Sequence, residues 1–385
     1  MPGRDGVKNT TILVSCGEAS GDLYAGALAA SLRGLEPGVR VLGLGGDRLA
    51  AAGAELVGDY RGLAVTGLAE AVRVLPRSLA MYRRLVQAAR VARPDVAVVI
   101  DFPDFNFRLA GALRRLGVPL VYYIPPQLWA WRSGRMRRLR AIADRILVIF
   151  PFEPEIYRKA GTAATFVGHP LLELARPTEG RESFLRGLGL DPAAPVVALL
   201  PGSRPNEVGA ILPTLVQATP LISAAEPRAQ YVVARAPGLP SSLFPRHPRI
   251  AVVEGRADDV LSSCDLVITA SGTATVQAAI HERPMVVVYR LSPLTYALGR
   301  RFVHLDTFAM VNLVAGEKVV PELIQEAFTP EAVAAEALRL MQDGEARRRA
   351  LRAVRAVREK LGGPGASRRA AEAVLEVAHL RSRER

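Results

Sequence analysis

The chain has 385 residues, half of them hydrophobic and 23% charged, with 50 Lys and Arg against 37 Asp and Glu for a net charge of +13. This composition excludes a disordered chain, and two cysteines exclude a disulfide-stapled scaffold. The basic balance suits an anionic partner such as nucleic acid, acidic lipid or a phosphorylated substrate, although genomic base bias toward Ala and Arg produces the same excess.

Short apolar runs alternate with longer amphipathic stretches along the whole chain, the pattern of parallel βαβ units. Residues 1–6 lead straight into an apolar strand, which is not the pattern of a secretory signal. No apolar run approaches the roughly 18 residues of a membrane span, so a soluble or surface-bound protein is expected. Cys16 and Cys264 lack metal-ligand spacing and point to a reducing compartment.

In the first half, strands are predicted at 11–15, 39–43, 96–100, 119–123 and 145–149, with helices such as 22–34, 78–92 and 105–116 between them. The first strand ends in Ser15-Cys-Gly-Glu-Ala-Ser-Gly-Asp22. Gly17 and Gly21 bracket a turn and Asp22 begins a helix. Glu18 and Ser20 could bond sugar hydroxyls there, with Gly21 giving close approach. Alternatively, Ser20 or Asp22 caps the first helical amides. Residues 63–93 form a basic amphipathic stretch that suits either an anionic bilayer or an outer helix of a wound domain.

The strand at 96–100 runs into Asp101-Phe-Pro-Asp-Phe-Asn106. A carboxylate at a strand terminus can take a proton from an attacking hydroxyl, and Asp104, just before an apolar helix, fits the cap role better than Asp101. Asp101 is therefore the candidate base. The next strand leads to Tyr122-Tyr-Ile-Pro-Pro-Gln-Leu-Trp-Ala-Trp-Arg132, followed by Arg135, Arg137, Arg138 and Arg140. Trp129 and Arg132 with their neighbours can cover a sugar, contact acyl chains or hold a phosphate, where the plain alternative is a packed loop and a solvated helix face.

Gly and Pro punctuation at 171–190 reads as a linker with a short helix. The second half repeats the alternation, with strands at 195–200, 230–234, 249–253, 265–269 and 284–289 and helices such as 207–224 and 272–282. Two of its strands end in loops suited to a diphosphate: Gly202-Ser-Arg204, and Ser271-Gly272-Thr273 before a helix. Glycine lets backbone approach a ligand, the helix N-terminus favours an anion, and Arg204 adds a planar charged fork. Further on, Asn312 stands out, and Pro321 suits a helix start that places Glu322 and Gln325 on one face. A carboxylate such as Glu322 suits the two hydroxyls of a ribose, and equally suits the dipole of its own helix. His169 and His304 are isolated and read as structural. No metal cluster and no nucleic-acid-binding motif is visible.

Together, Gly17–Asp22, Asp101–Asn106, Pro125–Arg132, Phe166–Pro170, Leu199–Arg204, Ala270–Thr275 and Asn312–Gly316 resemble the lipid-A-disaccharide synthase family, in order and spacing over about residues 11–326. The glycine loops alone would also fit an N-acetylglucosaminyltransferase or a non-hydrolysing epimerase.

The resemblance implies an α/β GT-B architecture, two Rossmann-like doubly wound domains facing across a cleft. It assigns 1–170 to the acceptor side, 171–190 to a linker, 191–361 to the UDP-sugar domain and 362–385 to a terminal helix packing back on the first domain. It implies an inverting, metal-independent transfer from UDP-2,3-diacylglucosamine to 2,3-diacylglucosamine 1-phosphate, with no cofactor. Asp101 and Arg204 match the family's essential pair; Ser271, Gly272 and Thr273 match its phosphate loop; Asn312, Glu322 and Gln325 match polar groups near the nucleoside. A cytoplasmic protein peripheral to the anionic inner membrane of a Gram-negative bacterium is expected, with room for a homodimer.

Overall fold

The computed structural model describes residues 9–63, 68–126, 134–244, 247, 249–290 and 307–382, with backbone alone at 68–73, 134–135 and 381–382. The chain divides into two compact units, Met1–Pro170 with Gly363–Arg385, and Leu171–Gly362.

The first unit is built on seven strands: β1 (Thr11–Ser15), β2 (Arg40–Gly45), β3 (Glu55–Asp59), β4 (Val96–Ile100), β5 (Leu120–Tyr123), β6 (Arg145–Val148) and β7 (Thr165–Phe166). They pair in the order β3-β2-β1-β4-β5-β6-β7, and every pairing is parallel. Covered on both faces by helices, a central strand must be apolar throughout, and β4 is fully buried along its length. Burial of each Val or Leu of this kind contributes about 1.5–3 kcal/mol.

The final helix, Ala366–Ser382, belongs to this unit and lies against the first, Ala19–Leu35. Its buried Ala370, Val374 and Ala378 recur every four residues, one stripe of a helix surface. Arg369 Nε anchors it by donating to the Val167 carbonyl at 2.8 Å.

The second unit carries β8 (Val196–Leu200), β9 (Gln230–Arg235), β10 (Ile250–Glu254), β11 (Leu266–Ala270), β12 (Met285–Tyr289) and β13 (Glu322–Ile324). Their order is β10-β9-β8-β11-β12-β13, again parallel throughout. Residues 171–190 form two short helices, Leu171–Leu174 and Arg181–Gly187, within this unit. The Asp259 carboxylate accepts from the Thr178 and Glu179 N–H groups at 2.6 and 3.2 Å, and Arg181 donates to the Ser263 carbonyl at 2.6 Å.

Helix Pro205–Ala225 has the length, and over its most apolar window the mean hydropathy of 1.5, that a membrane crossing requires, contrary to the expectation that no run comes close. Its apolarity serves the core. Val208, Ile211, Leu212, Leu215, Ala218 and Ile222 are buried against the sheet.

Three strands at sheet edges escape the sequence pattern: β7 and β13 are only two and three residues long, and β3, though five, has no fully buried residue to mark it as apolar. The last corrects the predicted helix start at Pro321. Glu322–Ile324 instead extends the sheet beside β12, in register Val287↔Glu322, and a single 3-10 turn, Gln325–Ala327, follows. Glu322 and Gln325 therefore do not share a helix face.

Candidate active site

Each sheet reverses its strand order once, between β1 and β4 in the first unit and between β8 and β11 in the second. Loops leaving the carboxyl ends of such strand pairs are where open α/β sheets bind ligands. Four of the predicted motifs occupy those four loops.

In the first unit, helix Ala19–Leu35 begins three residues before Asp22, with Glu18 at its cap position and no side-chain cap. Ser20 and Gly21 thus lie in its first turn. Gly21 packs close, since a Cβ there would stand 3.2 Å from Cys16 Cβ. Asp22 caps a different helix: its buried carboxylate accepts from the N–H groups of Gly46, Arg48 and Leu49 at 2.7, 3.0 and 3.2 Å, at the start of Asp47–Ala51. Glu18 and Ser20 remain half-buried at the loop.

After β4 the backbone turns sharply. Asp101 and Phe102 both take left-handed conformations, φ 44° and 50°, as does Ile124 after the neighbouring β5, at φ 54°. Such backbone costs about 1–3 kcal/mol per residue and persists only where the surroundings over-determine it. Asp101 is half-buried, and the cap position of the following helix Pro103–Arg115 falls on Phe102. Asp104 is thus not the cap; it sits in the first turn, where a carboxylate suits the helix dipole.

Asn106 lies inside the fold. It is fully buried; its Nδ2 donates to the carbonyls of Asp101 at 2.8 Å and Ile100 at 3.1 Å, and its Oδ1 accepts from Ser15 Oγ at 2.7 Å. Its amide shapes the loop and does not face solvent. Ser15 and Tyr122, which also bond this loop, were not singled out in the sequence. A serine closing an otherwise apolar buried strand was the available signal, because a buried hydroxyl needs a partner.

Two aromatic groups stand nearby. Burial, and after it the charge of Asp101, pushes the Tyr24 phenol up from its ordinary value. His169 is fully buried against Tyr24 and Phe150, with burial lowering its pKa to about 3, so it is neutral at pH 7. Its structural reading fits that packing. Trp129, Arg132 and His304 lie outside the described residues.

In the second unit, β8 ends at Leu200 and Gly202 follows in the loop at φ 117°, where a side chain would meet Glu207 within 2.8 Å. Ser203 N–H donates to Glu207 at 3.2 Å. Arg204 caps helix Pro205–Ala225, stands 3.5 Å from Glu207 and leaves 44% of its side chain exposed. The adjacent β11, in register Leu200↔Thr269, ends at Ala270, and Ser271 opens the loop. Gly272 follows at φ 147°, with open space where a side chain would stand, and caps helix Thr273–Ile280. The N–H groups of such a helix start favour an anion, and the loop after the neighbouring strand carries the permanently charged Arg204 guanidinium.

Buried Asn312 and half-buried Glu322 form one network beside that turn. Ser271 Oγ donates to the Phe308 carbonyl at 3.0 Å. Glu322 accepts from the N–H groups of Phe308 and Ala309, each at 3.0 Å, and from Asn312 Nδ2 at 2.7 Å. Asn312 Oδ1 accepts from Val319 and Val320 N–H at 2.9 and 3.0 Å, and the residue is 1% exposed. The Asn312 amide is therefore satisfied inside the protein. Gln325, half-buried at φ 55°, follows β13. Among the described residues no group of three or more His, Cys, Asp or Glu could hold a metal ion.

The model of a family described as lipid-A-disaccharide synthetase matches residues 12–377. A lipid-A-disaccharide synthase from Myxococcus xanthus is 44% identical over 371 residues, covering 95% of this chain and 97% of the relative. One from Koribacter versatilis is 45% identical over 379 residues, covering 95% and 98%. Among solved structures, a Staphylococcus aureus MnaA–UDP co-structure superposes with a TM-score of 0.66 at 12% identity, covering 93% of this chain and 94% of that one. At that identity the likeness speaks for the fold, two Rossmann-like parallel α/β units.

Proposed function

Because this chain belongs to the lipid-A-disaccharide synthetase family and is a glycosyltransferase, we propose that it transfers 2,3-diacylglucosamine from its UDP conjugate to the 6-hydroxyl of 2,3-diacylglucosamine 1-phosphate. The products are the β-1,6-linked disaccharide 1-phosphate and UDP. The observation that carries this reading is the placement of Arg204 and the open Gly272 turn in the loops after adjacent strands, at the point where the second sheet reverses order.

The second unit holds the donor and the first the acceptor. Asp101 accepts the proton of the 6-hydroxyl while that oxygen forms a bond to the anomeric carbon. The bond from that carbon to the diphosphate breaks on the opposite face, and its electron pair leaves with UDP, so configuration inverts. General-base help of this kind is worth roughly 10²- to 10⁴-fold. Arg204, Gly202, Ser203 and the N–H groups around Ser271–Thr273 stabilise the charge growing on the diphosphate, which leaves no step that needs a divalent ion. Glu322 and Gln325 border the nucleoside, while Glu18 and Ser20 face the acceptor sugar.

Both substrates carry acyl chains, and the enzyme meets them on the cytoplasmic face of an anionic membrane. Helix Leu68–Ala92 suits that surface: Leu75 and Leu79 are 54% and 44% exposed beside exposed Arg77, Arg83 and Arg84. Exposed apolar and basic side chains together are what an anionic bilayer surface binds.

The test is direct. Purified protein given the acylated UDP-sugar and the acylated sugar 1-phosphate should yield disaccharide 1-phosphate and UDP by mass spectrometry, with excess chelator leaving the rate intact. Epimerisation of an unacylated UDP-N-acetylglucosamine without transfer, or a rate abolished by chelator and restored by magnesium, would contradict it.

A further inference from the structure

We propose that Tyr122, Asn106 and Ser15 are positioning residues that hold the Asp101–Phe102 turn in its left-handed form, and that Gly17 lacks a side chain because the Phe102 ring occupies its place. The inference rests on the assignment of Asp101 as the base.

Two consecutive non-glycine residues at positive φ relax unless something prevents it. Here the Asp101 carbonyl receives two donors, the Tyr122 hydroxyl at 3.0 Å and Asn106 Nδ2 at 2.8 Å. The Asp101 N–H is held as well, donating to the Ile124 carbonyl at 3.1 Å. Return to a right-handed turn would swing that carbonyl off both donors and re-aim the carboxylate. Asn106 is itself fixed by Ser15 Oγ at 2.7 Å, so β1 and β4 share one buried polar knot.

The Phe102 ring closes the arrangement. It stacks on Phe105 with centroids 5.2 Å apart, and its Cγ lies 2.0 Å from where a Gly17 Cβ would be. No side chain fits at Gly17 unless the ring moves, and the ring is attached to the strained turn. The loop after β1 and the loop after β4 are therefore interlocked, and the carboxylate direction is set by groups that never touch substrate.

A positioning role acts only through Asp101, which makes it separable from ordinary stability. Tyr122→Phe and Ser15→Ala keep volume and should each lower kcat about three- to tenfold, the scale of one hydrogen bond, with KM for the UDP-sugar unchanged. In an Asp101→Asn background neither change should cost anything further, since there is no base left to aim. Gly17→Ala should lower kcat, and adding Phe102→Leu should restore part of it by clearing the ring.

Equal losses with Asp101 intact and in the Asp101→Asn background, or a raised KM with kcat intact, would overturn the positioning role while leaving the base in place. Full turnover by Asp101→Asn would remove the base, and the inference with it.

Discussion

The side-chain amide of Asn312 donates to the Glu322 carboxylate at 2.7 Å, and that carboxylate in turn accepts from the backbone N–H groups of Phe308 and Ala309. One carboxylate thus joins the last strand of the second sheet to the start of helix Met310–Ala315, and Ser271 ties the same peptide to the turn at Ser271–Thr273. Asn312→Ala leaves Glu322, Val319 and Val320 short of partners in a buried site. A loss of about 1–3 kcal/mol in urea unfolding is expected, together with weaker UDP binding by calorimetry. Unchanged stability would show that the network does not hold this loop.

Arg204→Ala should lower kcat/KM roughly tenfold to a hundredfold, the worth of a charge-assisted hydrogen bond to the diphosphate. Arg204→Lys should recover only part of that, because an ammonium restores the charge but not the two-pronged geometry. Steady-state kinetics with both variants checks this, and a lysine variant at full activity would reduce Arg204 to a point charge.

Asp259 makes part of the stability of the second unit depend on pH. Burial works against its charge, but the Arg256 guanidinium and the N–H groups of Thr178 and Glu179 more than offset this, and its carboxyl titrates below the ordinary value. A carboxylate depressed on folding stabilises above its unfolded pKa, and that stabilisation disappears as pH falls through the folded value. Asp259→Asn should therefore cost stability at pH 7, about 1.5–3 kcal/mol for bonds to a charged group, with the gap to wild type closing below about pH 4. A gap constant from pH 7 to pH 3, read by urea unfolding, would exclude the charge as its source.

On the first unit, Arg83→Glu with Arg84→Glu should weaken binding to anionic vesicles by about 2 kcal/mol or more, roughly thirtyfold, at about 1 kcal/mol per basic residue. The loss should shrink as salt rises. Neutral vesicles are the control. Vesicle sedimentation that is indifferent to both substitutions would move the membrane surface elsewhere.

Legibility differed from residue to residue. Gly202, Arg204 and the Ser271–Thr273 turn could be read because a strand, a glycine and a helix start are contiguous, and contiguity is what local pattern encodes. Asn106 could be found but not understood, since its partner Ser15 lies 91 residues away. Asp22 likewise looked like the cap of its own helix and serves another, 24 to 27 residues on.

The alternation of apolar runs and amphipathic stretches by itself determined two wound parallel sheets, since a strand buried on both faces must be apolar whatever its neighbours are. The motif set likewise determined the family. Only the tertiary structure decided which polar side chains stay accessible at these loops and which face inward. Asn106 and Asn312 are turned into the fold, Glu322 sits on a strand, and Asp101, at a positive φ, is bonded by Tyr122 of the neighbouring strand and by Asn106 of the following helix. Direction of this kind comes from hydrogen bonds between distant segments, and these exist only once the sheets have brought those segments together.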